Sequence, residues 1–386
     1  MQLSIIILNY HVRHFLELCL ESVLKATHTI ESEIIVVDNH SQDDSCAMVK
    51  TRFPKVKLIE NQENFGFPKG NNLGVAAAKG KYICILNPDT VVVEHTFVQF
   101  LDFAAKHPNL GIMGGWLLDG AGRFLPESKR STPTPWVALT KIFGLYKFFP
   151  HSKWFNQYYA GHLQANQTGK VDILVGAFMC MERALYQQMG GFDEACFMYS
   201  DDIDLSYLVQ KSGRDNYYNA EVQLIHFKGE STNKDEVYIQ RFQEAMEFFY
   251  AKHFKKSFLF SVGMKIGAFV FVRLKAKKKV ENPSFPTHFL LCSKDVSLPS
   301  KLEKSLQKTV LLHDQSVESL KNTLHTLQNE RVEIIFDTQS CSFQEIITFM
   351  SGNTQKNLTF KFILSRQDFL IGSNHSESKG EVINLI

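Results

Sequence analysis

Residues 81–93 read KYICILNPDTVVV, and this stretch decides what kind of sheet the chain builds. The run from Tyr82 to Leu86 is almost continuously apolar, which is typical of a strand covered on both faces in a parallel sheet. Pro88 lacks a backbone N–H donor and therefore ends the strand. Asp89 then follows a carboxyl end, where open α/β sheets bind ligands. Because Asn-Pro and Pro-Asp are also common in turns, a simple turn is the alternative interpretation of this stretch.

The first hundred residues alternate between strand and helix patterns, which predicts βαβ units and a parallel sheet. Strands are predicted at Leu3–Leu8, Glu33–Val37, Lys57–Glu60 and Tyr82–Leu86, and helices at Arg13–Ala26, from Ser41 onward and at Pro68–Lys79. Ser41 is the expected N-cap of the second helix, because the acidic Asp44 follows three positions later. Asn9-Tyr10-His11 follows the first strand in place of a glycine-rich phosphate loop, which disfavours dinucleotide enzymes and nucleoside triphosphatases.

Three further regions follow this amino-terminal pattern. Residues 119–170 contain many prolines and aromatics without a clear period, which favours a long functional loop region. Residues 257–272 are apolar except for Lys265 and have basic flanks, but they are shorter than the ~20 residues that span a membrane. We expect an interfacial helix there, with a helix packed on the main domain as the alternative. The predicted domains are residues 1–250, a helical segment at 251–284, and a small α/β unit at 285–386 in which we find no motif.

Composition limits the function classes. With 386 residues the chain is long enough for two domains, and its net charge of +2 argues against a protein that neutralises nucleic-acid phosphates. Its seven cysteines form no C-x-x-C pair, so neither a disulfide framework nor a zinc site is indicated. We therefore expect a cytoplasmic protein with no nucleic-acid partner.

Polar side chains follow three of the predicted strands, and a cluster of carboxylates occurs further along the chain. Asn9-Tyr10, Asp38-Asn39 and Asn87-Pro88-Asp89 follow successive strands, which favours a ligand crevice at one sheet edge. Further along, Asp201, Asp202 and Asp204 place three carboxylates within four residues. An acidic first turn that stabilises a helix dipole is one interpretation of this cluster. Repulsion between adjacent carboxylates also raises at least one pKa, which suits a general base or a metal site. His226 ends an apolar stretch, and on that evidence alone a structural role explains it better than a functional one.

Several of these motifs, taken in order, resemble glycosyltransferase family 2. The opening LSIIILNY, the strand end IIVVDN and the segment NQENFGFPKGNNLGVAAAKGKYICILNPDT resemble its donor half. The later VDILVGAFMCMERALYQQMGGFDEACFMYSDDIDLSYLVQKSG and LIHFKGEST resemble the acceptor half of its rhamnosyltransferase-like branch. The resemblance covers roughly residues 1–250.

The resemblance implies a GT-A fold, a nucleotide-diphosphate sugar donor linked to UDP or dTDP, and inversion at the anomeric carbon. By position, Asn9, Tyr10, Asp38 and Asn71 would line the base and ribose. Asn87 and Asp89 would replace the family's Asp-x-Asp, with Asp89 and His226 as ligands of Mg²⁺ or Mn²⁺. Asp201-Asp202 stands where the family has Glu-Asp, so Asp202 would be the base and Asp201 would position the acceptor.

The chemistry explains why these residue types are needed. Diphosphate leaves with growing negative charge, which a hard cation bound to oxygen ligands stabilises. The acceptor hydroxyl attacks well only when a carboxylate removes its proton. We therefore predict a metal-dependent, inverting glycosyltransferase that acts on a glycan or polyprenyl-linked acceptor, peripheral on the inner face of the cytoplasmic membrane. The alternatives are an inactive GT-A-like module that binds nucleotide sugars and a nucleotidyltransferase, which would need glycines after the first strand. Because every motif lies upstream, residues 1–283 are expected to retain donor binding.

Overall fold

The structure, a computed structural model, describes residues 1–142, 144–149, 152, 154–228, 236–254, 285–327, 330–364, 367–374 and 380–385. The apolar segment 257–272, for which an interfacial helix is predicted, lies outside these residues. None of the helices within the described ranges combines the length and the apolar character that a membrane span requires. The described residues form two sheets with helices packed against them.

The larger sheet contains nine strands from the first 226 residues. They are β1 (Leu3–Asn9), β2 (Ser32–Asp38), β3 (Lys57–Glu60), β4 (Tyr82–Leu86), β5 (Thr90–Val92), β6 (Leu110–Leu118), β7 (Gly169–Lys170), β8 (Phe178–Glu182) and β9 (Asp215–His226). Their order is β3-β2-β1-β4-β8-β6-β9-β5, with β7 beside β9. The strands β3, β2, β1 and β4 are parallel, which confirms the α/β class predicted from the first hundred residues. β8 then runs antiparallel to both of its neighbours.

Nine helices of this region are described. They are α1 (Arg13–Thr27), α2 (Ser45–Arg52), α3 (Gly66–Ala76), α4 (Thr96–Lys106), α5 (Pro135–Ile142), α6 (Leu145–Phe148), α7 (Arg183–Gln188), α8 (Asp201–Lys211) and α9 (Glu236–His253), with a 3-10 turn at Pro126–Ser128. The apolar stripe of α1 is buried against the sheet, with Leu16, Leu20 and Val23 fully inaccessible to solvent. The predicted loop region 119–170 therefore includes two short helices, α5 and α6.

The predicted helix start at Ser41 is wrong. The helix begins at Ser45 and Asp44 makes no side-chain cap. Ser41 instead closes the loop after β2, because its N–H donates to Asp38 Oδ1 at 2.8 Å and its hydroxyl accepts from the His11 N–H at 2.9 Å. Ser41 fits the N-cap pattern, but its side chain instead contacts His11, 30 positions away. The local sequence does not encode that contact.

The described residues in the range 285–386 form the predicted small α/β unit. Its strands are β10 (His288–Cys292), β11 (Val310–His313), β12 (Val332–Asp337), β13 (Leu358–Ile363), β14 (Phe369–Gly372) and β15 (Glu381–Asn384), and its helices are α10 (Leu298–Leu306), α11 (Leu320–Thr326) and α12 (Phe343–Gly352). A 3-10 turn at Val317–Ser319 precedes α11. The strand order is β11-β10-β12-β13-β14-β15, parallel through β13 and antiparallel after it.

The small unit is docked on the larger one through a shared apolar core. That core joins Phe15 and Leu18 of α1, Val91 of β5 and Phe227 to Phe362 of the small unit. The rings of Phe227 and Phe362 lie 6.0 Å apart, edge to face. Since Phe227 directly follows His226, the small unit packs immediately behind a predicted site residue.

Candidate active site

The centre of the candidate site is the break between β4 and β5. The Asn87 N–H donates to the Ala177 carbonyl at 3.0 Å, and the chain re-enters the sheet at Thr90, which pairs with His226 of β9. The Phe227 N–H donates to the Asp89 carbonyl at 3.0 Å. These backbone bonds hold His226 Nε2 at 3.3 Å from Asp89 Oδ1 and 3.3 Å from Asn87 Nδ2. Asp89 and His226, 137 positions apart in sequence, therefore lie side by side.

Two atoms of this centre are buried and have no hydrogen-bond partner among the described residues: Asn87 Oδ1 and His226 Nδ1. Buried polar atoms are normally satisfied, so an unpaired acceptor beside a carboxylate is suited to a ligand. The described residues contain no cluster of three or more His, Cys, Asp or Glu arranged to hold a metal. A cation at Asp89 and His226 would therefore need further ligands from substrate.

A second group of polar side chains lies at the carboxyl ends of β1 and β2. Asn9 Nδ2 donates to Asp38 Oδ2 at 2.7 Å and to the Ser41 hydroxyl at 3.1 Å. Asn39 is also buried, donates to the Gly66 carbonyl at 3.0 Å and accepts from Asn61 Nδ2 at 2.8 Å. Asn9 Oδ1 has no partner within the described ranges, which leaves one acceptor at this edge for a ligand.

Tyr10 and Asn71 occupy different positions relative to this edge. Tyr10 is half-buried and makes an edge contact with His11, ring centroids 4.3 Å apart. Asn71 is fully buried in α3, where its Nδ2 donates to the Phe67 carbonyl at 2.9 Å. A Cβ at Gly70 would lie 2.4 Å from Leu8 Cδ1, so this part of α3 packs directly on the end of β1. Asn71 is thus placed close to the carboxyl end of β1.

The acidic triplet occupies the first turn of α8, and its members have separate environments. Asp204 Oδ2 pairs with Lys252 at 2.9 Å, and Asp204 Oδ1 with His253 Nε2 at 2.5 Å. Both partners belong to α9, so Asp204 joins two helices.

Asp202 is bound to an arginine that the sequence analysis does not identify. Asp202 Oδ2 accepts from Arg130 Nη2 at 2.6 Å and from the Gly176 N–H at 3.0 Å. Arg130 Nη2 also donates to the Leu174 carbonyl at 2.7 Å, which fixes its direction. Gly176 precedes Ala177, the partner of Asn87, so Asp202 and the Asp89 centre border the same short segment. No local pattern marks Arg130, because its partner is 72 residues away.

Asp201 has a strongly shifted acidity. Burial, followed by the neighbouring charge of Asp202, raises the pKa of Asp201 to about 7, while backbone hydrogen bonds oppose the shift. The pKa increase expected from repulsion between adjacent carboxylates therefore occurs at Asp201. A carboxyl with a pKa near neutrality can hold or release a proton in the physiological range.

Glu127 and Lys228 form an ion pair beside His226. Burial would raise the pKa of Glu127, but the charge and hydrogen bond of Lys228 outweigh it and lower the pKa below its usual value. Because Lys228 follows Phe227 in the chain, this pair lies two residues after His226. Sequence analysis does not identify the pair either.

The chain is similar to several known proteins. The sequence model of "Glycosyl transferase family 2" matches residues 4–190. The chain is 27% identical over 244 residues to "N-acetylglucosaminyl-diphospho-decaprenol L-rhamnosyltransferase" of Mycobacterium tuberculosis, covering 60% of this chain and 78% of that protein. It is 23% identical to "Low-salt glycan biosynthesis hexosyltransferase Agl10" of Haloferax volcanii over 72% of this chain and 86% of that protein. A solved structure, the mannosyltransferase PcManGT from Pyrobaculum calidifontis in complex with GDP-Man and Mn²⁺, is similar with a TM-score of 0.46 and 16% identity, covering 72% of this chain and 76% of that one.

Proposed function

Since the chain belongs, through residues 4–190, to glycosyltransferase family 2, we propose that it transfers a sugar, with inversion, from a UDP- or dTDP-linked donor to a hydroxyl of a glycan or polyprenyl-linked acceptor. The observation that supports this most directly is the juxtaposition of Asp89, His226 and Asn87 at the end of β4. A lipid-linked acceptor is suggested by the mycobacterial relative, whose name specifies a sugar on a diphospho-decaprenol. Such an acceptor would place the enzyme peripherally on the inner face of the cytoplasmic membrane.

The donor's nucleoside would bind at the ends of β1 and β2. Asp38 is held by Asn9 Nδ2 and the Ser41 N–H, so its carboxylate is already oriented before a ligand arrives. Asn9 Oδ1 supplies an acceptor for a base or ribose N–H or O–H donor. Tyr10 and Asn71 complete this proposed donor surface, Tyr10 at the half-buried edge and Asn71 from α3.

The residues of the β4–β5 break fit a divalent cation. Asp89 offers a carboxylate, Asn87 Oδ1 is a buried acceptor without a partner in the described part of the chain, and His226 Nε2 lies 3.3 Å from the carboxylate. Mg²⁺ and Mn²⁺ prefer such oxygen ligands and complete their coordination with substrate phosphates. A cation bound there would neutralise the charge that develops on the leaving diphosphate.

We assign the general base to Asp202. Arg130 and the Gly176 N–H both bind Oδ2, which fixes the orientation of the carboxylate. Asp202 would accept the proton of the acceptor hydroxyl as that oxygen attacks the anomeric carbon and the diphosphate departs from the opposite face, so the configuration inverts. Asp201, with its pKa raised to about 7, is the competing assignment.

The experiment that tests this function screens UDP- and dTDP-sugars for acceptor-dependent release of the nucleoside diphosphate, with and without Mn²⁺. Asp89→Ala should abolish metal-dependent turnover and weaken Mn²⁺-dependent UDP binding in calorimetry, while the exposed Asp102→Ala should change neither. Full activity of Asp89→Ala, or of the native enzyme in EDTA, would contradict the metal assignment. Nucleotide-sugar binding without turnover on any acceptor would favour the inactive binding module.

A further inference from the structure

Arg130 is a buried cation in contact with the proposed general base. Its Nη2 donates to Asp202 Oδ2 at 2.6 Å and to the Leu174 carbonyl at 2.7 Å, and its guanidinium also hydrogen-bonds the Tyr158 hydroxyl. A buried ion pair is weak evidence for a stabilising role, because removing two charges from water costs free energy that their attraction often fails to recover. A functional explanation for this pair therefore has to be considered.

The two oxygens of the Asp202 carboxylate have different surroundings. Oδ2 accepts from Arg130 and from the Gly176 N–H. Oδ1 has no hydrogen-bond partner in the described ranges and, unlike Asn87 Oδ1, is not buried, since the Asp202 side chain keeps 12% of its surface exposed. Of the two oxygens, Oδ1 is therefore the one that can accept a proton from a ligand.

The backbone fixes Arg130 in turn. Arg130 and Ile173 exchange two backbone hydrogen bonds of 3.0 Å each. Ile173 begins a short segment, residues 173–177, whose backbone also bonds the Asp202 side chain and the Asn87 N–H. Arg130 thus belongs to a network that connects the proposed base to the strand end bearing the proposed cation site.

We propose that Arg130 is a positioning residue of the transfer reaction, which holds Asp202 Oδ2 so that Oδ1 alone accepts the proton of the acceptor hydroxyl. A general base acts only within hydrogen-bond reach of that proton, and a misplacement of about 1 Å can cost about 10²-fold in rate. Arginine suits this role because its planar guanidinium has a fixed fork of donors, whereas lysine is a point charge on a flexible stem. The inference rests on the proposed function, since it concerns the same base.

The alternative is that Arg130 only stabilises the fold, as its neighbour Lys129 does. Lys129 is also buried, and its Nζ donates at 2.8–3.2 Å to the backbone carbonyls of Tyr159, Ala160 and Leu163. None of these acceptors belongs to the candidate site. Lys129 is therefore a matched control, a buried cation one position away whose contacts are with the fold alone.

The test is a double-substitution cycle that measures acceptor-dependent release of the nucleoside diphosphate. Arg130→Met should reduce kcat by about tenfold or more. The KM for the donor and UDP binding by calorimetry should stay within about twofold of the native values, because Arg130 positions the base and not the donor. In the Asp202→Asn background, Arg130→Met should change the residual turnover by less than about twofold, because the carboxylate that it positions is already absent.

Two further variants complete the cycle. Lys129→Met should lower the melting temperature, and any change that it causes in turnover should be the same factor in the native and Asp202→Asn backgrounds. Arg130→Lys keeps the charge without the fork, so its kcat should fall by about threefold or more, and again only where the Asp202 carboxylate is present. If Arg130→Met does not fold, Arg130→Lys decides the inference by the same comparison between backgrounds.

Two results would overturn the inference. One is a native kcat in folded Arg130→Met. The other is an equal fold-loss in both backgrounds, which would show that Arg130 acts on the fold or through another group such as Asp201. Turnover by the native chain separates these results from a failure of the proposed function. If the native chain transfers a sugar and the two losses are equal, only the role of Arg130 is wrong; if it transfers none to any acceptor, both proposals are wrong.

Discussion

At the scale of single residues, the candidate site contains two carboxylates that share a helix turn but differ in their partners. Asp202 is bound by a buried arginine and a backbone N–H, whereas the pKa of Asp201 is raised by burial and by the charge of Asp202. Because the two carboxylates are adjacent in the chain, their catalytic roles have to be separated by substitution.

Asp202→Asn is predicted to reduce turnover by about 10²–10⁴-fold, the range typical of losing a general base. The side chain keeps its shape, and donor and metal binding should persist because we assign them to Asn9, Asp38 and Asp89. UDP binding by calorimetry, paired with acceptor-dependent turnover, is the measurement. Asp204→Asn is the matched control, and it should affect stability more than chemistry because Asp204 binds Lys252 and His253. If Asp202→Asn turns over normally and Asp201→Asn is inactive, the base is Asp201.

The raised pKa of Asp201 predicts a pH dependence of stability. Below about pH 4 the carboxyl is protonated in both states; between about pH 4 and the folded pKa of about 7, only the folded state retains the proton. The free energy of unfolding should therefore fall as pH rises through this window, by at most about 1.4 kcal/mol per pH unit from this group. Asp201→Asn removes the slope, so its melting temperature relative to the native chain should rise steadily from pH 4 to pH 7. If the melting temperatures of Asp201→Asn and of the native chain differ by the same amount from pH 4 to pH 7, the Asp201 carboxyl is not held protonated in the folded state.

At the scale of elements, α12 is anchored by a carboxylate from the other unit. Glu94 Oε1 accepts from the Phe343 N–H at 2.8 Å and Glu94 Oε2 from the Gln344 N–H at 3.0 Å. Ser342 and Glu345 form a capping box at the same helix end. Together they satisfy the first N–H groups of α12, and Glu94 adds a negative charge at the positive end of the helix dipole.

Glu94→Ala is predicted to loosen the docking of the two units at a cost of about 1.5–3 kcal/mol, the value of hydrogen bonds to a charged group. Hydrogen exchange should accelerate in both α12 and the neighbouring β5, because only Val93 separates Glu94 from the end of β5. Glu345→Gln is the control: it weakens the capping box inside the small unit, so exchange should accelerate in α12 but not in β5. Equal exchange of β5 in the native chain and in Glu94→Ala would contradict this role.

At the scale of the whole molecule, the apolar core shared by the two units argues against the expectation that residues 1–283 alone retain donor binding. The small unit covers Phe15, Val91 and Phe227, which flank the strand ends that bear Asp89 and His226. Exposing these three side chains would cost roughly 1.5–3 kcal/mol each. We therefore predict that residues 1–283 melt at a clearly lower temperature and lose Mn²⁺-dependent UDP binding before unfolding. If the truncated chain binds UDP as tightly as the full chain, residues 1–283 retain donor binding as expected from the sequence, and this prediction is wrong.

The sequence by itself determined the element types, the parallel donor half of the sheet, the small α/β unit, and the strand-end positions of Asn9, Asp38 and Asp89. These features follow from local patterns, since periodicity, a proline and strand-end polar residues act within a few positions of one another.

The partners of these residues were decided only by the tertiary structure. The pairing of Asp202 with Arg130 and the docking of Glu94 on α12 depend on strand order and domain packing, which join positions 72 and 249 residues apart. The same holds for Asp201, since a pKa shift depends on burial and neighbouring charge rather than on the residue type. Ser41 is the clearest example. Its local pattern predicts a helix cap, but in the structure its N–H donates to the Asp38 carboxylate and its hydroxyl accepts from the His11 N–H.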